Sequence, residues 1–200
     1  MHLRVSDAIV RVVSTARRLH YSYEAYLRAL EISSIKLEYL DGEIFAMAGG
    51  TPTHAQLAAR IIHLLTTELP GSCSIFTSDL KIRIDATDLS TFPDVTVVCG
   101  TKEGSPIDPN AITNPTLLIE VTSRSTEDYD RGEKLRHFKH LPSLRAVLFV
   151  SHRRAQVTIV ERAETDWTER EANAGEVAVV EHPELRLSIS DLYRGIELEV

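Results

Sequence analysis

The sequence has no run of about 18 apolar residues, which is the length that a membrane-spanning helix needs, so we expect no transmembrane segment and no membrane partner. It also has neither the GxxxxGK loop that cradles nucleotide phosphates nor the GxSxG turn of serine hydrolases. Cysteine is scarce, because only Cys73 and Cys99 are present, and both stand in apolar stretches typical of strands. We therefore expect buried free thiols in a reducing cytoplasm rather than a disulfide.

A basic excess is missing as well. The chain has 22 Lys and Arg residues against 29 Asp and Glu residues, for a net charge of −7. Proteins that bind nucleic acids usually have a basic surface, because phosphate contacts dominate their affinity. The charge balance therefore counts against a nucleic-acid partner, unless bound cations supply positive charge or the basic residues are confined to one face.

The first 20 residues carry four arginines around short apolar stretches, without a continuous apolar segment or a small-residue cleavage site. We therefore expect no secretory signal, and the pattern is typical of a poorly ordered leader or of a wrongly chosen start codon. The remaining residues, 21–200, have the length of a single domain, and a hydrophobic fraction of 43% suits a globular core.

Hydrophobic periodicity predicts a mixed α/β (α+β) sandwich. Apolar spacing indicates a helix over residues 21–31, a β-hairpin with a type I′ turn at Asp41-Gly42, and a second helix over 54–69 with Thr53 as its cap. We expect strands over 74–84, 92–99, 116–122 and 144–151, a polar loop over 100–115, and a helix over 126–141 that begins with a capping box at Ser125. An antiparallel meander over 156–181 and a last helical turn over 188–193 complete the chain.

Two carboxylates lie close to the ends of neighbouring predicted core strands. Asp94 stands at the start of the second core strand, and Glu120 stands near the end of the third. Because an unpaired buried carboxylate is costly, two of them in adjacent buried strands suggest a shared cation. Their oxygens and the backbone carbonyl of Val121 are ligands suited to Mg²⁺. The alternative is that each carboxylate sits exposed or ion-paired at a strand end.

The pair Pro93-Asp94, followed by Glu120-Val121-Thr122, resembles the PD-(D/E)xK motif of restriction-endonuclease-like phosphodiesterases. More narrowly, segments 37–54, 76–84, 92–100, 114–138 and 142–151 resemble the Uma2 family of endonucleases, also called DUF820. The resemblance implies an αβββαβ core with a mixed sheet and a Mg²⁺-dependent endonuclease, with Mn²⁺ as a substitute metal. It further implies DNA as the partner. Two cuts on a duplex would favour a homodimer.

One position departs from the superfamily motif, since Thr122 stands where the motif has lysine. The resemblance implies that Lys134, about two turns into the following helix, takes over the role of orienting the attacking water beside Glu120. The alternative is a surface ion pair between Lys134 and Asp130 at helical i, i+4 spacing. Asp130 and Tyr129 are weaker candidates for the same site.

Three further residues are candidates for the site. His54 would contact the phosphate or a metal-bound water, or it is an ordinary surface residue at a helix start. Glu38 would approach the metal, or it pairs across strands with Lys36 or Arg83. Asp79 would act as a further metal ligand, or it bonds to the backbone of its own turn.

A second class of function stays open. The acidic charge and the missing motif lysine are also compatible with a catalytically inactive module of the same fold that binds protein or DNA.

Overall fold

The computed structural model describes residues 19–47, 49–123 and 126–199. Most of the leader predicted over residues 1–20, and Ser125 of the predicted capping box, lie outside these ranges. Among the described helices, none is both long enough and apolar enough to cross a membrane.

The regular elements follow one another in this order along the chain: α1 (Tyr23–Ile32), β1 (Leu37–Leu40), β2 (Glu43–Ala46), α2 (Pro52–Glu68), β3 (Cys73–Thr77), β4 (Lys81–Ile84), a 3-10 turn (Asp85–Thr87), β5 (Leu89–Thr91), β6 (Val95–Cys99), β7 (Gly104–Ser105), β8 (Asp108–Ile112), β9 (Leu117–Thr122), α3 (Glu127–Tyr129), a π-helical turn (Asp130–Lys134), α4 (Leu135–Phe138), β10 (Ala146–Ser151), β11 (Gln156–Arg162), β12 (Trp167–Asn173), β13 (Val177–Val180), β14 (Leu185–Ser188) and α5 (Ile189–Leu192).

Two six-stranded sheets and one hairpin contain these strands. The central sheet has the order β12-β11-β10-β9-β6-β3, the second sheet has the order β2-β1-β5-β4-β8-β7, and β13 pairs with β14. Within the central sheet, β3, β6 and β9 are antiparallel, and β10 then runs parallel to β9 after the helical segment α3–α4. With α2 in front, this is the predicted αβββαβ core with a mixed sheet.

The structure corrects three of the sequence-based boundaries. The strand predicted over 74–84 is two strands, β3 and β4, which turn at residues 78–80 and join different sheets. The loop predicted over 100–115 contains the β7–β8 hairpin. In the C-terminal region β11 and β12 do form an antiparallel ribbon, but β13 pairs with β14 instead of continuing the meander.

Both faces of the central sheet are covered, which explains why β9 and β10 are continuous apolar runs in which every residue is buried. On one face, Leu117, Ile119 and Val121 pack in a core with α2, α5 and the β13–β14 hairpin. On the other face, Leu118 packs with Phe138 of α4 and with residues of β4 and β5. Because strand side chains alternate, Glu120 lies on the same face as Leu118, toward the helical segment and the second sheet.

One turn and the start of one helix are set by local backbone chemistry. Asp41 and Gly42 have φ values of 43° and 82°, so the predicted type I′ turn between β1 and β2 is confirmed. The predicted cap of α2 is corrected: the N-cap is Thr51, whose hydroxyl accepts from the backbone N–H of His54, and Pro52 occupies the first helical position.

The prediction of free thiols is wrong. The antiparallel register of β3 and β6 places Cys73 directly opposite Cys99, with a Cα–Cα distance of 3.9 Å, and the two are joined in a disulfide. The apolar context of each cysteine says nothing about a partner 26 residues away, and only the strand pairing brings the two together. The expectation of a reducing cytoplasm, which depended on free thiols, loses that support.

Candidate active site

Glu120 is the buried centre of the site. Only 4% of the residue is exposed, because it lies in β9 on the face covered by α4 and the second sheet. Burial raises the pKa of its carboxyl group to about 8, although the neighbouring Lys134 ammonium acts in the opposite direction. A carboxylate kept in such a place normally has a charged partner or a cation close by.

Asp94 lies beside Glu120, as the sequence predicted. It directly precedes β6, and its backbone N–H points to Oε2 of Glu120 at 3.4 Å. Its own Oδ2 accepts a hydrogen bond of 2.7 Å from the backbone N–H of Val121. The two carboxylates are thus held together across neighbouring strands, at the edge of the sheet where β6 begins and β9 ends.

Lys134 places an ammonium group next to Glu120, whereas position 122 on the same strand is an uncharged threonine. Its Nζ lies 2.8 Å from Oε1 of Glu120 and 3.8 Å from Oδ1 of Asp130. Lys134 is only 4% exposed, so it does not lie on a solvated helix face, and the i, i+4 contact with Asp130 belongs to the buried cluster. Burial alone would lower the pKa of Lys134, but the surrounding carboxylates outweigh it and raise that pKa, so the ammonium stays charged. Thr122 is itself completely buried, with its hydroxyl 3.5 Å from the carbonyl oxygen of Val150.

The helix that carries Lys134 is irregular. Its middle part, Asp130–Lys134, is a π-helical turn between α3 and α4. Such turns occur as single insertions in α-helices, often at functional sites. Asp130 and Lys134 are the two residues of this turn that are buried, and burial is the main reason why the pKa of Asp130 is raised.

Glu38 reaches the cluster from the second sheet. It is in β1, its Oε1 lies 3.6 Å from Nζ of Lys134, and the same oxygen accepts a hydrogen bond from the hydroxyl of Thr91 in β5. The alternative pairing with Lys36 or Arg83 is not what the structure has. Thr91 was not predicted from the sequence, since a single threonine at a strand end carries no specific signal.

His54 extends the network toward α2. The capped first turn of α2 places its Nε2 3.1 Å from Oδ2 of Asp94. The hydrogen bond to Asp94 is the main cause that raises the pKa of His54, and partial burial opposes it. The structure therefore unites His54 with the carboxylate pair, in line with the site role rather than with an isolated surface histidine.

Asp79 does not join the cluster. It lies in the turn between β3 and β4, its side chain is 83% exposed, and its carboxylate is paired with Lys36 at 2.8 Å. Its backbone N–H donates to the hydroxyl of Thr77, so the alternative of a turn-stabilising aspartate fits better than the predicted metal ligand. The strand break at residues 78–80 is the reason, because it places Asp79 in an exposed turn, where Thr77 and Lys36 are its polar partners.

Tyr129 and Glu38 line an open cavity of about 560 Å³ beside the cluster. The remaining lining residues are Leu40, Asp41, Glu43, Phe45 and Glu133. Burial raises the pKa of the Tyr129 hydroxyl to about 12, so it stays protonated at neutral pH.

The donor set fits Mg²⁺ only as a site with few protein ligands. Within the described residues, no three His, Cys, Asp or Glu side chains form a ready-made metal-binding group. Asp94 and Glu120 do converge, and the N–H of Val121 points at Asp94, so the carbonyl of the same residue faces the same side of β9. Oε1 of Glu120 is buried and, despite its proximity to Lys134, has no hydrogen bond of normal geometry among the described residues. Two carboxylates and one carbonyl suit an ion that keeps several of its waters.

Comparison with known proteins identifies the family of this chain. The model of the Uma2 family, described as "Putative restriction endonuclease", matches residues 23–195. The uncharacterized protein slr1290 of Synechocystis sp. is 36% identical over 177 residues, which is 88% of this chain and 92% of the relative. The uncharacterized protein sll1609 of the same organism is 30% identical over 140 residues, which is 70% of this chain and 78% of the relative.

A crystal structure of "a putative nuclease belonging to DUF820" from Anabaena variabilis superposes with a TM-score of 0.67. It is 18% identical and covers 85% of this chain and 96% of its own, so the likeness is one of fold. On the match of the family model and the two sequence relatives, this chain belongs to the Uma2 family, and it has the nuclease fold of that family.

Proposed function

We propose that this protein is a Mg²⁺-dependent phosphodiesterase that cleaves DNA as an endonuclease, with Mn²⁺ able to replace Mg²⁺. The observation that carries the proposal is the position of the buried Glu120 carboxyl group, which lies 2.8 Å from Nζ of Lys134 and accepts a hydrogen bond from the backbone N–H of Asp94. The carboxylate of Asp94 is held at the same edge of the central sheet by the backbone N–H of Val121. A stabilising role alone does not require three charged groups at that edge, because a buried ion pair adds little net stability compared with apolar residues.

Asp94, Glu120 and the carbonyl of Val121 would hold the metal. The bound ion would lower the pKa of a coordinated water and offset negative charge on the phosphate. It would also supply the positive charge that a chain of net charge −7 lacks at this site.

Lys134 would orient the attacking water and stabilise charge on the phosphate. Its buried ammonium is fixed by Glu120 and by Glu38, so little reorganisation is needed during the reaction. Glu38 is in turn held by Thr91 and acts as a positioning residue for Lys134.

His54 would donate a hydrogen bond to a phosphate oxygen. Its Nε2 already faces Asp94, and the raised pKa favours the protonated ring, which has two donors. One donor can keep the contact with Asp94 while the other is available to the substrate.

Cleavage assays with a panel of substrates test the proposal. Duplex, single-stranded and branched DNA and RNA are incubated with Mg²⁺, Mn²⁺ or EDTA, and wild-type protein is compared with Glu120→Gln. We expect metal-dependent cleavage of DNA by the wild type and none by Glu120→Gln. Asp79→Asn is the matched control, because its carboxylate is exposed and outside the cluster, and it should cleave like the wild type.

Absence of cleavage with every substrate and metal would contradict the proposal and favour the alternative of an inactive binding module. Two cuts on a duplex favour two sites, so we further expect two copies to act together, and sedimentation of the DNA-bound protein measures this.

A further inference from the structure

We infer that Arg153 and Arg154 form a phosphate-binding subsite that holds the backbone of the substrate strand next to the active site; the inference rests on the proposed function and names where the nucleic acid lies. The two arginines occupy the turn between β10 and β11, and both are exposed. They line a polar cavity of about 370 Å³ together with Glu127, Ser151 and Glu199.

The topology places this turn at the edge of the sheet that carries the active site. Strands β9 and β10 are parallel, with Glu120 beside Phe149 and Thr122 beside Ser151. The chain beyond Ser151 therefore leaves the sheet on the same side as the end of β9. Arg153 is four residues past Phe149, the neighbour of Glu120. At ~3.3 Å per residue, the Cα atoms of Phe149 and Arg153 are at most about 13 Å apart. This corresponds to no more than about four nucleotides at 3.4 Å per nucleotide.

The guanidinium groups of Arg153 and Arg154 are available for a ligand. In the described part of the chain, neither guanidinium has a hydrogen bond or an ion pair, and the one contact of Arg153 is its backbone N–H to the hydroxyl of Ser151. By contrast, Arg131 near the same cavity is held by Glu127 and Thr158.

The turn itself is fixed, so the arginines start from a defined position. The buried hydroxyl of Tyr193 lies 2.7 Å from the carbonyl oxygen of Ser151 and 2.8 Å from that of Gln156, which are the two ends of the turn. The carbonyl of His152 accepts from the backbone N–H of Glu199. A preorganised turn reduces the entropy that binding would otherwise cost.

The two acidic residues of this cavity are already engaged. Glu127 forms an ion pair with Arg131, and Glu199 accepts a hydrogen bond from the hydroxyl of Thr51 at the N-cap of α2. The larger cavity next to Glu38 has the opposite character, since its charged lining residues are all acidic. Of these two cavities, the one with Arg153 and Arg154 is therefore the one suited to a phosphate chain.

The test measures binding in the Glu120→Gln background, in which we expect no cleavage. Fluorescence anisotropy follows a fluorescein-labelled DNA duplex of about 20 base pairs in Mg²⁺ at several salt concentrations. Arg153→Ala/Arg154→Ala is compared with Arg136→Ala/Arg186→Ala, which removes the same charge from exposed positions on α4 and β14. Thermal unfolding checks that each variant is folded.

We expect the Arg153→Ala/Arg154→Ala variant to bind the duplex at least about tenfold more weakly at ~0.1 M salt. The slope of log affinity against log salt concentration should decrease in magnitude by about 1.8, because two phosphate contacts are lost. Arg153→Lys/Arg154→Lys keeps the charges and should keep most of the slope. Binding equal to that of the control double variant, or no measurable binding by the parent, would overturn the inference. Wild-type cleavage is measured in parallel: cleavage with unchanged binding refutes only the arginine assignment, whereas lost binding without any cleavage refutes the hydrolysis and retains the subsite.

Discussion

Replacement of Lys134 by methionine is the most informative single change in this protein. Methionine keeps an unbranched stem of similar length but removes the ammonium from its contacts with Glu120, Glu38 and Asp130. If Lys134 orients the attacking water, kcat at saturating Mg²⁺ should fall by on the order of 10²-fold or more, as for the loss of one preorganised charge-stabilising group. Lys134→Arg keeps the charge but presents a planar guanidinium, so it should recover little of the rate.

The same change has a stability cost that depends on pH. Loss of one partner from a buried charged cluster typically costs about 3–5 kcal/mol, because it leaves the other charge uncompensated. Burial raises the pKa of Glu120 to about 8, so below that pH its carboxyl is largely neutral and needs Lys134 less. In EDTA we therefore expect the loss of unfolding free energy in Lys134→Met to be largest at pH 9 and clearly smaller at pH 5, as measured by urea denaturation.

Lys139→Met is the control for Lys134→Met. Lys139 directly follows α4, and its Nζ lies over the ring of Trp167 instead of in the cluster. The control should keep the wild-type rate and show no pH-dependent stability loss. Wild-type cleavage by Lys134→Met would reduce Lys134 to a structural charge, and an equal stability loss at both pH values would refute its coupling to Glu120.

Three other perturbations test the cluster and the fold. Asp94→Asn should abolish cleavage and any stabilisation by Mg²⁺. It should also lower the pKa of His54 toward 6.5 in an NMR titration, because the hydrogen bond to Asp94 is the main cause that raises this pKa. An unchanged pKa of His54 would contradict that contact. Glu120→Gln in EDTA should be more stable than wild type above pH 8 and equal to it below pH 4.5. The reason is that a folded-state pKa raised to about 8 makes the wild type lose stability as the pH rises between those values. Urea denaturation at both ends of this range measures the difference, and a wild type that is the more stable at pH 9 would refute the prediction. The unreduced, denatured protein should show no reactive thiol, whereas two titratable thiols would restore the interpretation made from sequence. Reduction of Cys73–Cys99 should lower the free energy of unfolding by about 3.5 kcal/mol, given the separation of 26 residues.

The sequence predicted the core well where the pattern is local. The run around Glu120 is apolar on both sides, and such runs form strands that are buried on both faces. The Asp41-Gly42 turn is specified by two residues that tolerate positive φ. The division of residues 74–84 between two sheets was missed, because β3 and β4 are both strand-like and only their partners differ.

The choice among acidic residues could not be made from the sequence. Asp79 lies within the strand predicted over 74–84 and Asp130 within the helix predicted over 126–141, yet Asp79 is exposed and Asp130 is buried beside Lys134. The difference arises from contacts distant in the chain. Lys36, directly before β1, forms an ion pair with Asp79, whereas the packing of the helical segment on the central sheet buries Asp130. Helical spacing gave the contact between Asp130 and Lys134 but placed it on the surface.

The position of Lys134 depends on three parts of the fold at once. Strand alternation puts Glu120 on the face that the helical segment covers, the π-helical turn directs Lys134 inward, and β1 of the second sheet brings Glu38 to the same point. Each of these can be stated only after the two sheets are assembled, since the second sheet is built from strands that lie before and between the core strands. Under the proposed function, a lysine on the helix would replace the motif lysine only in this assembled fold. For this reason we expect substitutions that disturb the docking of β1, for example by removing the contact between Thr91 and Glu38, to impair catalysis although the proposed metal ligands are unchanged.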